Sequence, residues 1–270
     1  MDATVNSQQG KQKHPPGLYL LFFTELWERF SYYGMRALLT LYLTTALISG
    51  GLGFEKGLAL SIYGLFTGAV YFTPIIGGYL SDRYLGRRLA ITMGGITMAV
   101  GNFLLFAVQS TTGLYLGLVL LIIGNGFFKP NISTLVGELY PENDKRRDAA
   151  FTIFYMGINV GALFAPLICG YLAEEHFKTA LDGVEMYGFK YGFLAAAIGM
   201  VIGQIAFNLL GNRYLGISAN SRSERVKLRG SRKPPIGRSP RRRSKEPPSS
   251  SFWPVLSSFS GQDLNRRGAL

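Results

Sequence analysis

The chain has 270 residues, 48% of them hydrophobic, with a mean hydropathy of +0.19 and a formal net charge of +12. That apolar content exceeds what an ordinary soluble domain carries, and 34 glycines with 13% aromatic residues match the composition of membrane helices. From Ile217 onward ten Arg and three Lys stand against three acids, a net +10, so the basicity belongs to the tail and does not argue that the body binds nucleic acid.

Residues 1–16 are polar, end in His14-Pro15-Pro16, and read as a disordered lead-in. No cationic region followed by a short apolar run and a small-residue cleavage site is present, so no signal peptide is expected. Six apolar stretches follow, at 18–48, 57–80, 89–109, 113–138, 149–173 and 189–211. Each reaches the ~20 residues that cross a ~30 Å hydrocarbon core. The sequence therefore predicts an all-α membrane protein of six transmembrane helices over 17–216.

The connecting segments orient the bundle. Arg83, Arg87 and Arg88 lie between the second and third stretches, Lys145, Arg146 and Arg147 between the fourth and fifth, and Arg213 after the sixth. The other connections carry few cations or balance them with Glu174, Glu175, Asp182 and Glu185. This alternation predicts that both termini are cytoplasmic. Arg83-Tyr84-Leu85-Gly86 after the second stretch recurs as Arg213-Tyr214-Leu215-Gly216 after the sixth, a weak sign of an internal repeat. Beyond Gly216 the sequence is rich in Ser, Arg and Pro and is expected to be disordered. Attraction to anionic lipid head groups is one reading of this tail, and a merely solvated tail is the other.

The first stretch carries Glu25, Glu28, Arg29 and Arg36. A charge at the bilayer centre costs about 2.5–3.5 kcal/mol on insertion scales, so these groups must pair or face water. At 100° per residue Glu25, Glu28, Arg29, Tyr32 and Arg36 fall within one arc, with Tyr33 at its edge. Glu25 and Arg29 stand in the favourable i,i+4 order. One stripe is therefore expected to line a polar cavity; a structural ion pair locking the bundle is the alternative. In the fourth stretch Lys129 precedes a kink-forming Pro130 and shares a face with Asn125 and Ser133. Glu25, Glu28, Arg29 and Lys129 sum to zero charge, an arrangement suited to a proton relay. Tyr71, just before Pro74, and Tyr155 and Asn159, four residues apart beside Thr152, are further candidates for the cavity wall. The segment from Gly78 to Arg88 reads as a tight cytoplasmic turn in which Asp82 pairs with a nearby Arg or with a helix N-terminus.

Enzyme chemistry is not suggested. His14 and His176 are the only histidines, and no phosphate-binding Gly-Lys-Ser/Thr loop occurs, so neither a metal nor an ATP site is expected. Cys169 is the single cysteine, lies in an apolar run and reads as a packing residue.

These motifs resemble a known family. Glu25-Leu-Trp-Glu28-Arg29-Phe30-Ser31-Tyr32-Tyr33-Gly34 is similar to the Glu-x-x-Glu-Arg signature of the proton-dependent oligopeptide transporters, within the major facilitator superfamily. Phe127-Phe128-Lys129-Pro130-Asn131 and the run from Arg146 to Gly161 resemble that family's second signature, and residues 78–88 resemble the superfamily's loop motif with one extra residue beside Tyr84. The resemblance covers about residues 17–216. It implies symport of di- and tripeptides, with the proton as coupling ion and no cofactor, by a protein of the cytoplasmic membrane. It also implies roles: Glu25, Glu28, Arg29 and Lys129 in proton coupling; Tyr33, Arg36, Tyr71, Tyr155 and Asn159 in peptide binding; Asp82, Arg87 and Arg88 in gating.

Family members have twelve helices, so the chain is expected to be the N-terminal half only, lacking its six-helix C-terminal partner, with residues 217–270 a truncation or frameshift product. The half alone is expected to be incompetent for transport. A non-transporting half-bundle that binds other membrane proteins, and a transporter of nitrate or other anions, are the competing readings.

Overall fold

The computed structural model describes residues 13–216, apart from positions 142 and 182. All lie in the first of two compact units, Met1–Val226; the second, Lys227–Leu270, falls outside the described residues, as do the expectations for the tail and for residues 1–12.

Six long helices make up the described unit: α1 (Pro16–Thr44), α2 (Lys56–Leu80), α3 (Arg87–Ala107), α4 (Thr111–Glu138), α5 (Arg146–Tyr171) and α6 (Phe189–Tyr214). Proline suits the first turn of a helix, where its missing N–H has no partner to lose, so Pro16 opens α1 rather than ending the lead-in. Ser110 caps α4 by accepting from the Gly113 N–H at 3.1 Å. α2–α6 are long and apolar enough to cross a membrane. α1 has the length, 29 residues, but its four charges set it apart from these five.

The expectation of a purely α-helical unit is corrected in one place. β1 (Thr179–Leu181) and β2 (Val184–Met186) pair antiparallel between α5 and α6. The sequence signal was Asp182-Gly183 between two apolar residues, a two-residue hairpin turn that needs positive φ, and Gly183 has φ 79°.

The helices pack in the order α2–α4–α3–α6–α1–α5, with lighter contacts joining α1 to α2 and α4. Exchanging α1, α2, α3 for α4, α5, α6 leaves this order of neighbours unchanged, as a pair of three-helix repeats requires. The repeated Arg-Tyr-Leu-Gly segments also match locally. Arg83 and Arg213 each place the guanidinium 5.6 Å from the ring of the following tyrosine, and Gly86 and Gly216 both have positive φ, 81° and 59°.

Close backbone approach replaces large side chains where helices cross. A Cβ on Gly77 of α2 would sit 2.1 Å from the Gly126 carbonyl oxygen of α4, and one on Gly161 of α5 would sit 2.3 Å from the Leu26 carbonyl oxygen of α1. Small residues of this kind drive helix association in membranes, where lipid removes the hydrophobic incentive. The Gly126 carbonyl is also the one that Pro130, lacking an N–H, leaves without its usual helical donor.

The start of α1 and the ends of α4 and α6 meet: Gly17 lies against Tyr214 and Leu139, and the His14 ring nitrogen is 2.7 Å from the Tyr140 hydroxyl. Arg87 and Arg88 at the start of α3 bond Glu138 and Asn212. The predicted cations Arg83, Arg87, Arg88, Lys145, Arg146, Arg147 and Arg213 therefore gather at one end of the bundle.

Candidate functional site

α1 carries the densest group of charges inside the unit. Glu25, Glu28 and Arg29 are 3%, 0% and 5% exposed. The stripe is therefore buried within the six-helix unit at these three positions. It answers burial with pairing. Arg29 Nε lies 3.1 Å from Glu25 Oε1 and also bonds Glu28. The second Glu28 oxygen accepts from Asn125 Nδ2 of α4 at 3.3 Å. The guanidinium also stands 5.5 Å from the Tyr32 ring. Glu25 Oε2, Arg29 Nη2 and Asn125 Oδ1 are buried without partners. Each leaves a donor or acceptor free, and an unsatisfied buried polar atom carries a desolvation penalty of about 1–3 kcal/mol.

Lys129 does not join these ion pairs. It lies over the Tyr71 ring, 5.0 Å from the centroid, a cation–π contact that keeps the ammonium available for an anion. Two turns along α1 from Glu28, Arg36 follows the same logic. Its Nε donates to the Tyr63 hydroxyl at 2.5 Å and its guanidinium stands over that ring at 5.3 Å. Tyr63 escaped the sequence reading. Its signal was the eight-residue spacing from Tyr71, about two helical turns on α2.

The other candidates are more open. Tyr33 is half-buried beside Tyr32, with ring centroids 5.3 Å apart. Tyr71 and Tyr155 are 64% and 57% exposed, and Asn159 is exposed one turn beyond Tyr155. The structure thus brings Glu25, Glu28, Arg29 and Asn125 into one bonded group and Lys129 with Tyr71 into a second, leaving Tyr155 and Asn159 on an uncovered face of α5.

The segment after α2 continues as a wide π-type turn, Ser81–Leu85, and ends at Gly86. Its anchor is Ser81, fully buried, whose hydroxyl is 2.5 Å from Asn131 Oδ1 of α4. Asp82 is exposed and lies 3.7 Å from Arg87, which also pairs with Glu138. Arg88 reaches the Asn208 carbonyl of α6 at 3.3 Å. These long-range ties could not be read from local spacing.

At the same end, Asp144 accepts from the Arg146 backbone N–H at 2.9 Å and from its guanidinium at 2.6 Å. The side-chain bond, with help from the backbone bond, holds the Asp144 carboxyl down at about 2. At the opposite end Lys178 pairs with Glu185 at 2.8 Å, which lowers the carboxyl's pKa and raises the amine's.

Comparison with known proteins extends this geometry. Residues 88–219 match the profile of the POT family. An uncharacterized transporter of Bacillus subtilis, YclF, is 46% identical over 214 residues, which cover 79% of this chain and 41% of that protein. A di-/tripeptide transporter of Lactococcus lactis is 44% identical over 195 residues, 72% of this chain and 37% of its own length. A crystal structure of a POT family transporter in complex with 5-aminolevulinic acid superposes with a TM-score of 0.70 at 39% identity, covering 83% of this chain and 45% of that one. A crystal structure of the peptide transporter POT in complex with sulfate gives a TM-score of 0.70 at 38% identity, with the same coverage of both chains. The chain therefore spans about two-fifths of the length of these curated relatives and has the fold of one half of such a transporter. The relatives are transporters, not enzymes.

Proposed function

We propose that this chain, whose helical unit is homologous to the POT family, is the N-terminal half of a proton-coupled symporter of di- and tripeptides. In this reading all six helices cross the cytoplasmic membrane, and the basic end, with both termini, faces the cytoplasm.

The observation that carries the reading is the charge balance of the buried group. Glu25, Glu28, Arg29 and Lys129 sum to zero when all are ionised. A proton taken by Glu25 leaves one uncompensated positive charge in a low-dielectric interior, which is unfavourable. A peptide carboxylate at Lys129 removes it. The group is then neutral when proton and peptide are both bound or both absent, and charged when either is alone. That difference couples the two. Glu25 is the better proton acceptor because one of its oxygens has no bond, whereas Glu28 is held at both oxygens by Arg29 and Asn125. Arg36 adds positive charge for the peptide's carboxyl end, and Tyr33, Tyr71, Tyr155 and Asn159 would contact its backbone. Asp82, Arg87 and Arg88 act at the gate, where they tie α2, α3, α4 and α6 together at one end.

Alternating access needs two halves rocking about a central site. Transport is accordingly proposed for this unit acting with a second six-helix half, which would supply the opposite wall and the contacts to the peptide's amino end.

The test is binding of dialanine and of its C-terminal amide to the chain in lipid nanodiscs. Dialanine is expected to bind in about the millimolar range, and the amide not detectably. Lys129→Ala and Arg36→Ala should each weaken dialanine binding. Equal binding of the amide, or indifference to both substitutions, would contradict the assignment.

A further inference from the structure

Below Lys129, towards the basic end, the structure contains a second polar recess. Ser133, Thr134, Glu138, Tyr140, Arg147 and Phe151 line a cavity of about 520 Å³ between the last turns of α4 and the first turns of α5. Arg147 is half-buried in its wall, with Nη2 3.1 Å from where a Cβ on Gly137 would stand. The neighbouring cations of this end are engaged: Arg146 by Asp144, Arg87 by Asp82 and Glu138. Among the described residues the Arg147 guanidinium has neither an ion pair nor a hydrogen bond, while its backbone N–H donates to the Asp144 carbonyl oxygen at 3.0 Å. The cavity's own carboxylate, Glu138, is taken by Arg87. A half-buried guanidinium with five donors and no acceptor suits a bidentate carboxylate.

We infer that this cavity is a carboxylate station on the way out, where Arg147 takes the peptide's carboxyl group after Lys129 releases it. The inference rests on the peptide reading above. Lys129, Ser133 and Gly137 descend one side of α4 at four-residue intervals, so Arg147 lies about 12 Å below Lys129 along the helix axis. That step is about the length of an extended tripeptide. The Ser133 and Thr134 hydroxyls each donate to a backbone carbonyl one turn back, at 3.3 and 2.7 Å, which leaves their oxygens free to accept from the peptide's backbone N–H groups. A cation at this depth shortens the distance over which the carboxylate travels unpaired, and so lowers the barrier to release.

The experiment uses the full chain in nanodiscs of zwitterionic lipid. Phenylglyoxal modifies accessible arginines, and peptide mass spectrometry reads the rate at each one. Dialanine is expected to slow modification of Arg147 by at least about twofold, the change at half occupancy, and its C-terminal amide to leave the rate unchanged. The protection should persist in Lys129→Gln, and Arg213 should not respond. Protection of Arg147 by the amide, or no protection by dialanine, overturns the station. Protection by phosphatidylglycerol in the absence of peptide also overturns it, since the cavity would then hold a lipid phosphate. Arg36 reports the central site in the same digest. If Arg36 is protected and Arg147 is not, the station fails and the peptide reading stands; if neither is protected, both fail.

Discussion

Glu25 and Arg29 stand one helical turn apart on α1, paired at 3.1 Å, and yet each retains a buried atom without a partner, Oε2 of the acid and Nη2 of the base. A purely structural ion pair would be expected to close its valences, because the desolvation penalty of buried charges is repaid only when the remaining donors and acceptors are satisfied. Open valences at a buried pair leave room for a proton or a ligand.

Glu28 bears more of the fold than Glu25. It binds Arg29 through one oxygen and Asn125 through the other, linking α1 to α4. Glu28→Ala should therefore destabilise the unit by about 3–5 kcal/mol, the range for removing one member of a buried pair. Glu25→Gln keeps shape and one acceptor and should lie well below that. Thermal unfolding of both variants in one detergent checks the order.

The Gly77–Gly126 crossing predicts a steric effect. Gly77→Ala drives a methyl into the α4 backbone and should destabilise by about 1–3 kcal/mol, as overpacking does. On the same helix, a Cβ added at Gly68 would meet nothing within 4 Å, so Gly68→Ala should be neutral or slightly stabilising. Unfolding midpoints of the two variants separate packing from propensity.

Gly86 predicts a conformational effect of a different kind. Its φ is 81° and its surroundings are open, so Gly86→Ala meets strain without any clash. With ψ at 151° Gly86 lies in a region essentially confined to glycine, where another residue costs about 1–3 kcal/mol. Gly86→Asn should lose about as much as Gly86→Ala in the same unfolding measurement, because Asn is tolerated at positive φ only where ψ lies near about 30–60°.

Much of the unit is legible in its sequence. Length and apolarity give six helices to within a few residues, and the i,i+4 spacing gives the Glu25–Arg29 pair. Charge alternation predicts that the cations share an end. What escaped has physical reasons. The hairpin at 179–186 is too short to show strand periodicity, and only its Asp-Gly turn marks it. The burial of Glu25, Glu28 and Arg29 arises from the packing of α1 among its neighbours, and Glu28 finds its second partner, Asn125, 97 residues away on α4. The pairing of Arg87 with Glu138 and of Ser81 with Asn131 likewise arises from the packing of α2, α3 and α4, which no local spacing encodes.

Asp144 makes an acid-limb prediction. Its carboxyl is depressed to about 2 by the bonds from Arg146, so the ionised form is favoured in the folded state. The stabilisation is present above the ordinary aspartate range near 4 and is lost as pH falls from there through about 2. Asp144→Asn should lower stability above about pH 4 and converge on the parent chain towards about pH 2, flattening that part of the stability–pH curve. Unfolding midpoints from pH 5 to pH 2 in acid-stable detergent follow it.

The coupling claim is tested most directly by transport. Residues 13–216 can replace the matching segment of the Lactococcus lactis di-/tripeptide transporter, and the chimera can be reconstituted in liposomes with labelled dialanine outside. The account predicts accumulation driven by an inward proton gradient, falling to the passive level in Glu25→Gln with dialanine binding retained. Accumulation of equal size without the gradient, or undiminished in Glu25→Gln, would contradict it.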